Sequence, residues 1–165
     1  MKLFHALLLV VSVNLLSLDI NTVRDAYREV AQDNSKVEAF STLLSNVSKK
    51  DNVVLVAYKG AGITLLAKNK KKIQDKKSLF IEGVSYVEFA IENSPNNIEV
   101  RFVRLGIQEN IPKILKYKSN IEEDKQFILK HFKDISSYNL RNHIKDYILQ
   151  SKTFSDEEKS VFSRD

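Results

Sequence analysis

Glycine and proline are scarce in this chain, and their scarcity limits its possible folds more than any other feature. The 165 residues include four glycines and two prolines, against about twenty of both together at average usage. A β-sandwich or barrel needs many tight turns, which these two residues form at least cost. All four glycines, Gly60, Gly62, Gly83 and Gly106, also fall within segments of helical pattern. The sequence therefore predicts an all-α protein.

The first eighteen residues form a separate segment with a basic start and an apolar body. Lys2 precedes an apolar stretch over residues 3–18, which polar residues interrupt. The stretch is shorter than the about 20 residues of a membrane-spanning helix, so it favours a secretory signal peptide. An uncleaved apolar segment is the alternative. We expect residues 19–165 to form a single helical domain, exported to the periplasm or cell envelope.

Apolar periodicity and start signals predict about six to eight helices after the signal segment, stacked as antiparallel hairpins. The first follows Asp19, and a capping box from Ser35 to Glu38 begins the second. Residues 53–67 are apolar on almost every side, which is typical of a buried central helix. Their β-branched start also fits a strand. Because small residues permit close helix crossings, we expect Gly60 or Gly62 to contact the helix of Gly83.

The break at Pro95 follows a repeat-like pattern. Gly83, Val87 and Ala90 have the spacing of small and apolar residues on the second helix of a tetratricopeptide repeat, and Pro95 stands where that repeat has its proline. The segment resembles about one such repeat. The resemblance implies a helical hairpin, and stacked hairpins leave a concave face that can bind peptides.

A wider resemblance covers most of the chain after the signal segment. DINTVRDAY, AYKGAG, SPNNIEVRFVRLGIQENIP and NIEEDKQFI are similar to an uncharacterised family of short exported proteins of Bacteroidota-type bacteria. The resemblance implies an exported helical protein and no particular activity. It also favours a helix over residues 98–107, where alternating apolar and charged residues are otherwise compatible with a strand.

Residues for enzyme chemistry are few and scattered. The chain has no cysteine, and His131 and His143 lie on separate predicted helices without a zinc-binding spacing. The sequence contains no glycine-rich phosphate loop and no nucleophile elbow. Glu88 and Glu92 share a helix face and are the candidates for acid–base catalysis, so an enzyme of unknown class is one alternative. We expect no cofactor and no metal.

The main hypothesis is a non-catalytic binding or scaffolding module that uses a helical-repeat groove. The candidate groove residues are Tyr58, Arg101, Arg104 and Gln108. Arginine suits bidentate binding of carboxylates, so a protein or an acidic peptide is the expected partner. The competing interpretation pairs the two arginines internally with Glu88, Glu92 or Glu99.

A basic stretch supports a further alternative, a peripheral membrane-surface protein. Between positions 68 and 77 the lysines are Lys68, Lys70, Lys71, Lys72, Lys76 and Lys77. Asp75 is the single acid among them. Each lysine near an anionic membrane contributes about 1 kcal/mol. The stretch has no aromatic residue for base stacking, and export removes nucleic acid as a usual partner, so we expect no nucleic-acid binding.

Overall fold

The computed structural model describes residues 18–163, which form eight α-helices and no strand. The helices are α1 (Ile20–Gln32), α2 (Val37–Leu43), α3 (Val53–Asn69), α4 (Ile73–Asn93), α5 (Ile98–Asn110), α6 (Ile121–His131), α7 (Tyr138–Gln150) and α8 (Asp156–Phe162). The predicted all-α class and helix number are confirmed. Apart from Leu18, the predicted signal segment lies outside the described residues.

The helix starts follow the capping signals in several places. The Asp19 side chain accepts a hydrogen bond from the Thr22 amide at the start of α1. Ser155 and Glu158, three residues apart, form a capping box at the start of α8. These side chains satisfy amide groups that a helix start otherwise leaves without partners.

The second helix begins differently from the expectation. The Ser35 amide donates to the Asp33 side chain, and a 3₁₀ turn precedes α2, which has no side-chain cap. The predicted capping box from Ser35 to Glu38 therefore does not form. Asp33 competes for the same donor because a carboxylate can cap the amide two residues further along the chain.

Residues 98–107 are helical, as the wider resemblance favours. The Asn97 side chain caps α5 by accepting hydrogen bonds from the amides of Glu99 and Val100. The helix is buried on several sides, against α3, α4 and α6. A strand pattern arises here because charged residues alternate with apolar ones, although both kinds are buried in the structure.

Helices α3 and α4 form an antiparallel hairpin whose backbones touch at two glycines. A Cβ on Gly60 would lie 2.6 Å from the Gly83 carbonyl oxygen, and a Cβ on Gly83 would lie 2.7 Å from the Gly60 carbonyl oxygen. The predicted crossing is thus confirmed for Gly60. Gly62 faces Phe40 on α2 instead.

In the sequence, Ser78 predicts the start of the helix that follows the basic stretch of residues 68–77, and the structure corrects this boundary. Lys68 belongs to the last turn of α3, and α4 begins at Ile73 rather than at Ser78. Only residues 70–72 join the two helices. A lysine in the last turn of a helix interacts favourably with the helix dipole, which is consistent with Lys68 ending α3.

The last turns of α1, α3 and α5 meet at one end of the molecule. Val30, Lys68 and Asn110 line a common cleft there, and the Asn34 amide donates to the Asn69 side chain at 3.1 Å. Helix α4 begins at this end because it runs antiparallel to α3. Residues 68–77 and 111–118 therefore lie at the same end of the protein.

Candidate functional site

The four predicted groove residues lie inside the protein. Tyr58 and Gln108 are 0% exposed, Arg104 is 4% exposed and Arg101 is 8% exposed. This placement corrects the expectation of an open groove lined by these side chains. The physical reason is that α5 is central, so the side of α5 that seemed polar in the sequence packs against neighbouring helices.

Asp124 on α6 holds both arginines of α5. Its Oδ1 accepts from Arg101 Nη1 at 2.9 Å and from Arg104 Nη2 at 2.8 Å. Its Oδ2 accepts from Arg104 Nε at 2.7 Å. The Asp124 side chain is 0% exposed, so two guanidinium groups compensate a carboxylate removed from water. These charges join α5 to α6 and are not available to a partner.

A second buried ion pair joins α1 to α5. Arg24 donates from Nε to Glu99 Oε1 at 2.7 Å and from Nη2 to Glu99 Oε2 at 2.6 Å. The Tyr58 hydroxyl also donates to Glu99 Oε1, at 2.9 Å. Burial and the Glu99 charge raise the pKa of Tyr58 well above its ordinary value. Tyr58 therefore positions a structural carboxylate.

The interpretation that the two arginines pair with acidic residues of the protein itself is confirmed in part. Arg104 Nη1 contacts Glu88 Oε2 at 3.3 Å, as that interpretation expects. Glu99 pairs with a different arginine, and Glu92 is exposed. The Tyr117 hydroxyl also donates to Glu88. Glu88 and Glu92 thus have different surroundings and do not converge on a cleft.

The described histidines add no acid–base partner to these glutamates. His131 contacts Asp134 at 3.1 Å, and His143 packs against the Phe102 ring at 5.0 Å between centroids. Among residues 18–163, no group of three or more histidine or acidic side chains has a metal-binding arrangement.

One end of the molecule is strongly basic, and we call residues 68–77 and 111–118 the basic end. Nine lysines and one acid, Asp75, lie in it. To the six lysines expected from the sequence it adds Lys113, Lys116 and Lys118. None of the nine forms an ion pair with a described residue. Their charges are therefore not neutralised within the described fold.

Apolar side chains project from the same basic end. Ile73 in the first turn of α4 is 83% exposed, and Ile114 is 84% exposed. The segment that carries Ile114 is held beside α4, because the Tyr117 ring packs on the Phe80 ring at 6.0 Å between centroids. Each isoleucine directly follows a lysine in the sequence, which gives the basic end an amphipathic character.

The cleft at this end lies between α1, α3 and α5 and has a volume of about 340 Å³. Val30, Leu65 and Ile107 contribute apolar walls, and Tyr27 and Lys68 contribute polar groups. Sequence reasoning missed the cleft because its residues come from three segments with no shared motif.

No helix in residues 18–163 combines the length and apolarity needed to cross a membrane. No family model matches the chain, and neither a curated protein nor a solved structure matches it significantly.

Proposed function

We propose that this protein is a non-catalytic binding module of the cell envelope that attaches to anionic membrane surfaces through its basic end. The observation that carries the proposal is that nine lysines of the basic end form no ion pair within residues 18–163, and that Ile73 and Ile114 at the same end are exposed. The arginine groove is not part of it, because Arg101 and Arg104 are already bound to Asp124.

Two kinds of interaction support attachment to a membrane. Each lysine near an anionic surface contributes about 1 kcal/mol. An isoleucine that moves from water into the apolar boundary of the bilayer contributes up to about 1.5–3 kcal/mol. Either signal alone gives weak, reversible binding, whereas a basic patch with an apolar anchor gives stable attachment.

The distribution of charge also supports a defined orientation. The whole chain has 26 lysines and arginines against 21 acidic residues. Because the basic end takes nine lysines and one acid, acidic residues outnumber basic ones in the rest of the chain. An anionic membrane therefore attracts the basic end and repels the remainder.

Vesicle co-sedimentation tests the proposal. We expect binding to vesicles of phosphatidylcholine with phosphatidylglycerol and little binding to phosphatidylcholine alone. Binding should fall sharply at about 1 M salt, where the Debye length shrinks to about 3 Å. Equal binding to both vesicles, or binding that salt does not change, would contradict the proposal.

A pair of variants with the same change in net charge locates the contact. Replacing Lys71, Lys72, Lys76 and Lys77 with glutamine should weaken binding at least about tenfold. The control variant replaces four lysines outside the basic end, Lys130, Lys133, Lys145 and Lys159. An equal loss in the control would assign binding to net charge alone. If the protein bound an acidic protein segment but no vesicles, that segment would replace the membrane as the expected partner.

Export is part of the same proposal, and it rests on the signal-like pattern of the first eighteen residues. Mass measurement of the protein recovered from the periplasm of an expressing bacterium tests it. We expect a mass that corresponds to cleavage near Ser17. Full-length protein retained in the cytoplasm would contradict export.

A further inference from the structure

The cleft between α1, α3 and α5 has the features of a small ligand site. Its volume of about 340 Å³ lies at the lower end of the range for ligand pockets, about 300–1,000 Å³. Val30 on α1, Leu65 on α3 and Ile107 on α5 line it from three sides. An apolar body of modest size therefore fits between these helices.

Tyr27 supplies a hydroxyl that has no hydrogen-bond partner in the described part of the chain. Its ring lies in an aromatic cluster, 5.2 Å from the Tyr58 ring and 5.6 Å from the Phe40 ring between centroids. The hydroxyl donates to none of residues 18–163, and half-buried Tyr27 lines the cleft. Burial raises the pKa of Tyr27 to about 12, so the hydroxyl remains a donor at neutral pH.

Gly106 keeps the space beside this hydroxyl open. A Cβ at position 106 would lie 3.3 Å from the Tyr27 hydroxyl oxygen, and no other side chain of residues 18–163 outside its immediate neighbours comes within 4 Å of it. Gly106 lies inside α5, where glycine costs about 1 kcal/mol relative to alanine. The glycine thus leaves room for a ligand atom next to the Tyr27 hydroxyl.

The charge of the lining residues favours a ligand with a negative charge. Lys68 is exposed at the mouth of the cleft and forms no ion pair with a described residue. No aspartate or glutamate is among the lining residues. The amides of Asn34 and Asn110 are engaged by Asn69 and by the Gly106 carbonyl. Among the described lining residues, the side-chain donors without a hydrogen-bond partner are the Lys68 ammonium group, the Tyr27 hydroxyl and the exposed Gln32 amide.

We propose that this cleft binds a small carboxylate with an unbranched apolar chain, of the medium-chain fatty acid class. The carboxylate accepts hydrogen bonds from Lys68 and Tyr27, and the chain packs on Val30, Leu65 and Ile107. Lysine is a flexible point charge that reaches a carboxylate at a cleft mouth. The proposal goes beyond membrane attachment and does not depend on it.

Isothermal titration with octanoate, below its micelle concentration and without vesicles, tests the proposal. We expect saturable binding of one octanoate per chain and at least about tenfold weaker binding of octylammonium. Lys68→Gln should weaken octanoate binding about tenfold, since a hydrogen bond to a charged group is lost. The matched control Lys70→Gln makes the same charge change outside the cleft and should stay within about twofold.

Tyr27→Phe removes only the hydroxyl and should weaken octanoate binding about threefold to tenfold. Gly106→Leu should abolish it by filling the cleft, and circular dichroism verifies the fold of both variants. Absence of saturable binding up to about 1 mM octanoate, or equal losses in Lys68→Gln and Lys70→Gln, would overturn the proposal. If Gly106→Leu misfolds, the comparison of Lys68→Gln with Lys70→Gln still tests the proposal. Since the titration contains no vesicles, a negative result for octanoate would not contradict the membrane proposal.

Discussion

At the scale of single residues, Asp124 is the carboxylate on which the α5–α6 contact depends. Replacing it with asparagine leaves Arg101 and Arg104 buried without their main counter-charge. Loss of one partner from a buried ion pair costs about 3–5 kcal/mol. We expect Asp124→Asn to lower the free energy of unfolding by about that amount, measured by urea denaturation.

Glu123 is the matched control for this variant. It also contacts Arg101, at 2.8 Å, but its side chain is 56% exposed. An exposed ion pair contributes at most about 1 kcal/mol, so Glu123→Gln should have a small effect. Similar losses from both substitutions would mean that burial does not set the strength of these contacts.

His143 makes the stability of the fold depend on pH. Burial, together with the nearby Arg28 charge, lowers its pKa to about 4, against an ordinary value of 6.5. The unfolded chain therefore binds a proton at a higher pH than the folded protein, and stability falls as the pH drops from 6.5 towards 4. This one group should remove about 2 kcal/mol between pH 7 and pH 5.

The measurement is the difference between the wild type and His143→Phe in urea unfolding at pH 7 and pH 5. The phenylalanine ring cannot titrate, so the variant should lose about 2 kcal/mol less than the wild type over this interval. His131→Gln should retain the wild-type loss because it leaves His143 in place. A wild-type pH dependence in His143→Phe would assign the loss to carboxylates instead.

Residue roles were the part of the site that the sequence predicted least well. Arg101 and Arg104 are polar, and a helical projection places them on one side, which suggests an accessible face. In the structure that side is covered by α6, and Asp124 has the compensating charge. An acid in the first turn of a helix also interacts favourably with the helix dipole, so the sequence does not single out Asp124 as the partner of the two arginines. One signal was available: a helix so rich in apolar residues leaves little exposed surface for arginines.

At the scale of helices, the α3–α4 crossing depends on glycine at position 60. A Cβ there would lie 2.6 Å from the Gly83 carbonyl oxygen, and backbone cannot yield as a side chain can. Although alanine gains about 1 kcal/mol of helix propensity, the two helices must separate. We expect Gly60→Ala to destabilise the protein by about 1–3 kcal/mol in urea unfolding.

Gly62→Ala, two residues along the same helix, provides the comparison. Its nearest atom is a Phe40 ring carbon at 3.4 Å, close to ordinary contact. The gain in helix propensity should then dominate, so this variant should be neutral or more stable by up to about 1 kcal/mol. A stabilised Gly60→Ala protein would show that the crossing tolerates separation.

Helix existence was predictable because it depends on local periodicity and capping, as Asp19 and Ser155 illustrate. The boundaries of α4 were less predictable. Its first turn contains mostly lysine and polar residues, without the apolar stripe that marks a buried helix. This turn is helical although it projects into solvent, and Ile73, its one apolar residue, is exposed.

At the scale of the whole molecule, the basic end exists only because of the topology. Residues 68–77 were recognised as a basic stretch, whereas Lys113, Lys116 and Lys118 lie far away in sequence. They join that stretch because α3 and α5 end on the same side and α4 starts there. Composition shows a mild excess of positive charge, but only the fold shows that this charge is concentrated at one end.

Orientation on the membrane is the prediction that follows from this concentration. Gln74, in the first turn of α4, and Asn96, just beyond its last turn, are both exposed. Helix α4 has 21 residues, so the two positions are separated by about 30 Å. The chain has no cysteine, and Gln74→Cys and Asn96→Cys each accept a single fluorescent label.

With vesicles of phosphatidylcholine and phosphatidylglycerol that contain a lipid-borne quencher, the label at position 74 should be quenched strongly and the label at position 96 weakly. High salt should remove the difference by releasing the protein. Equal quenching at both positions would mean adsorption without a preferred orientation, and the basic end would then not be the membrane contact.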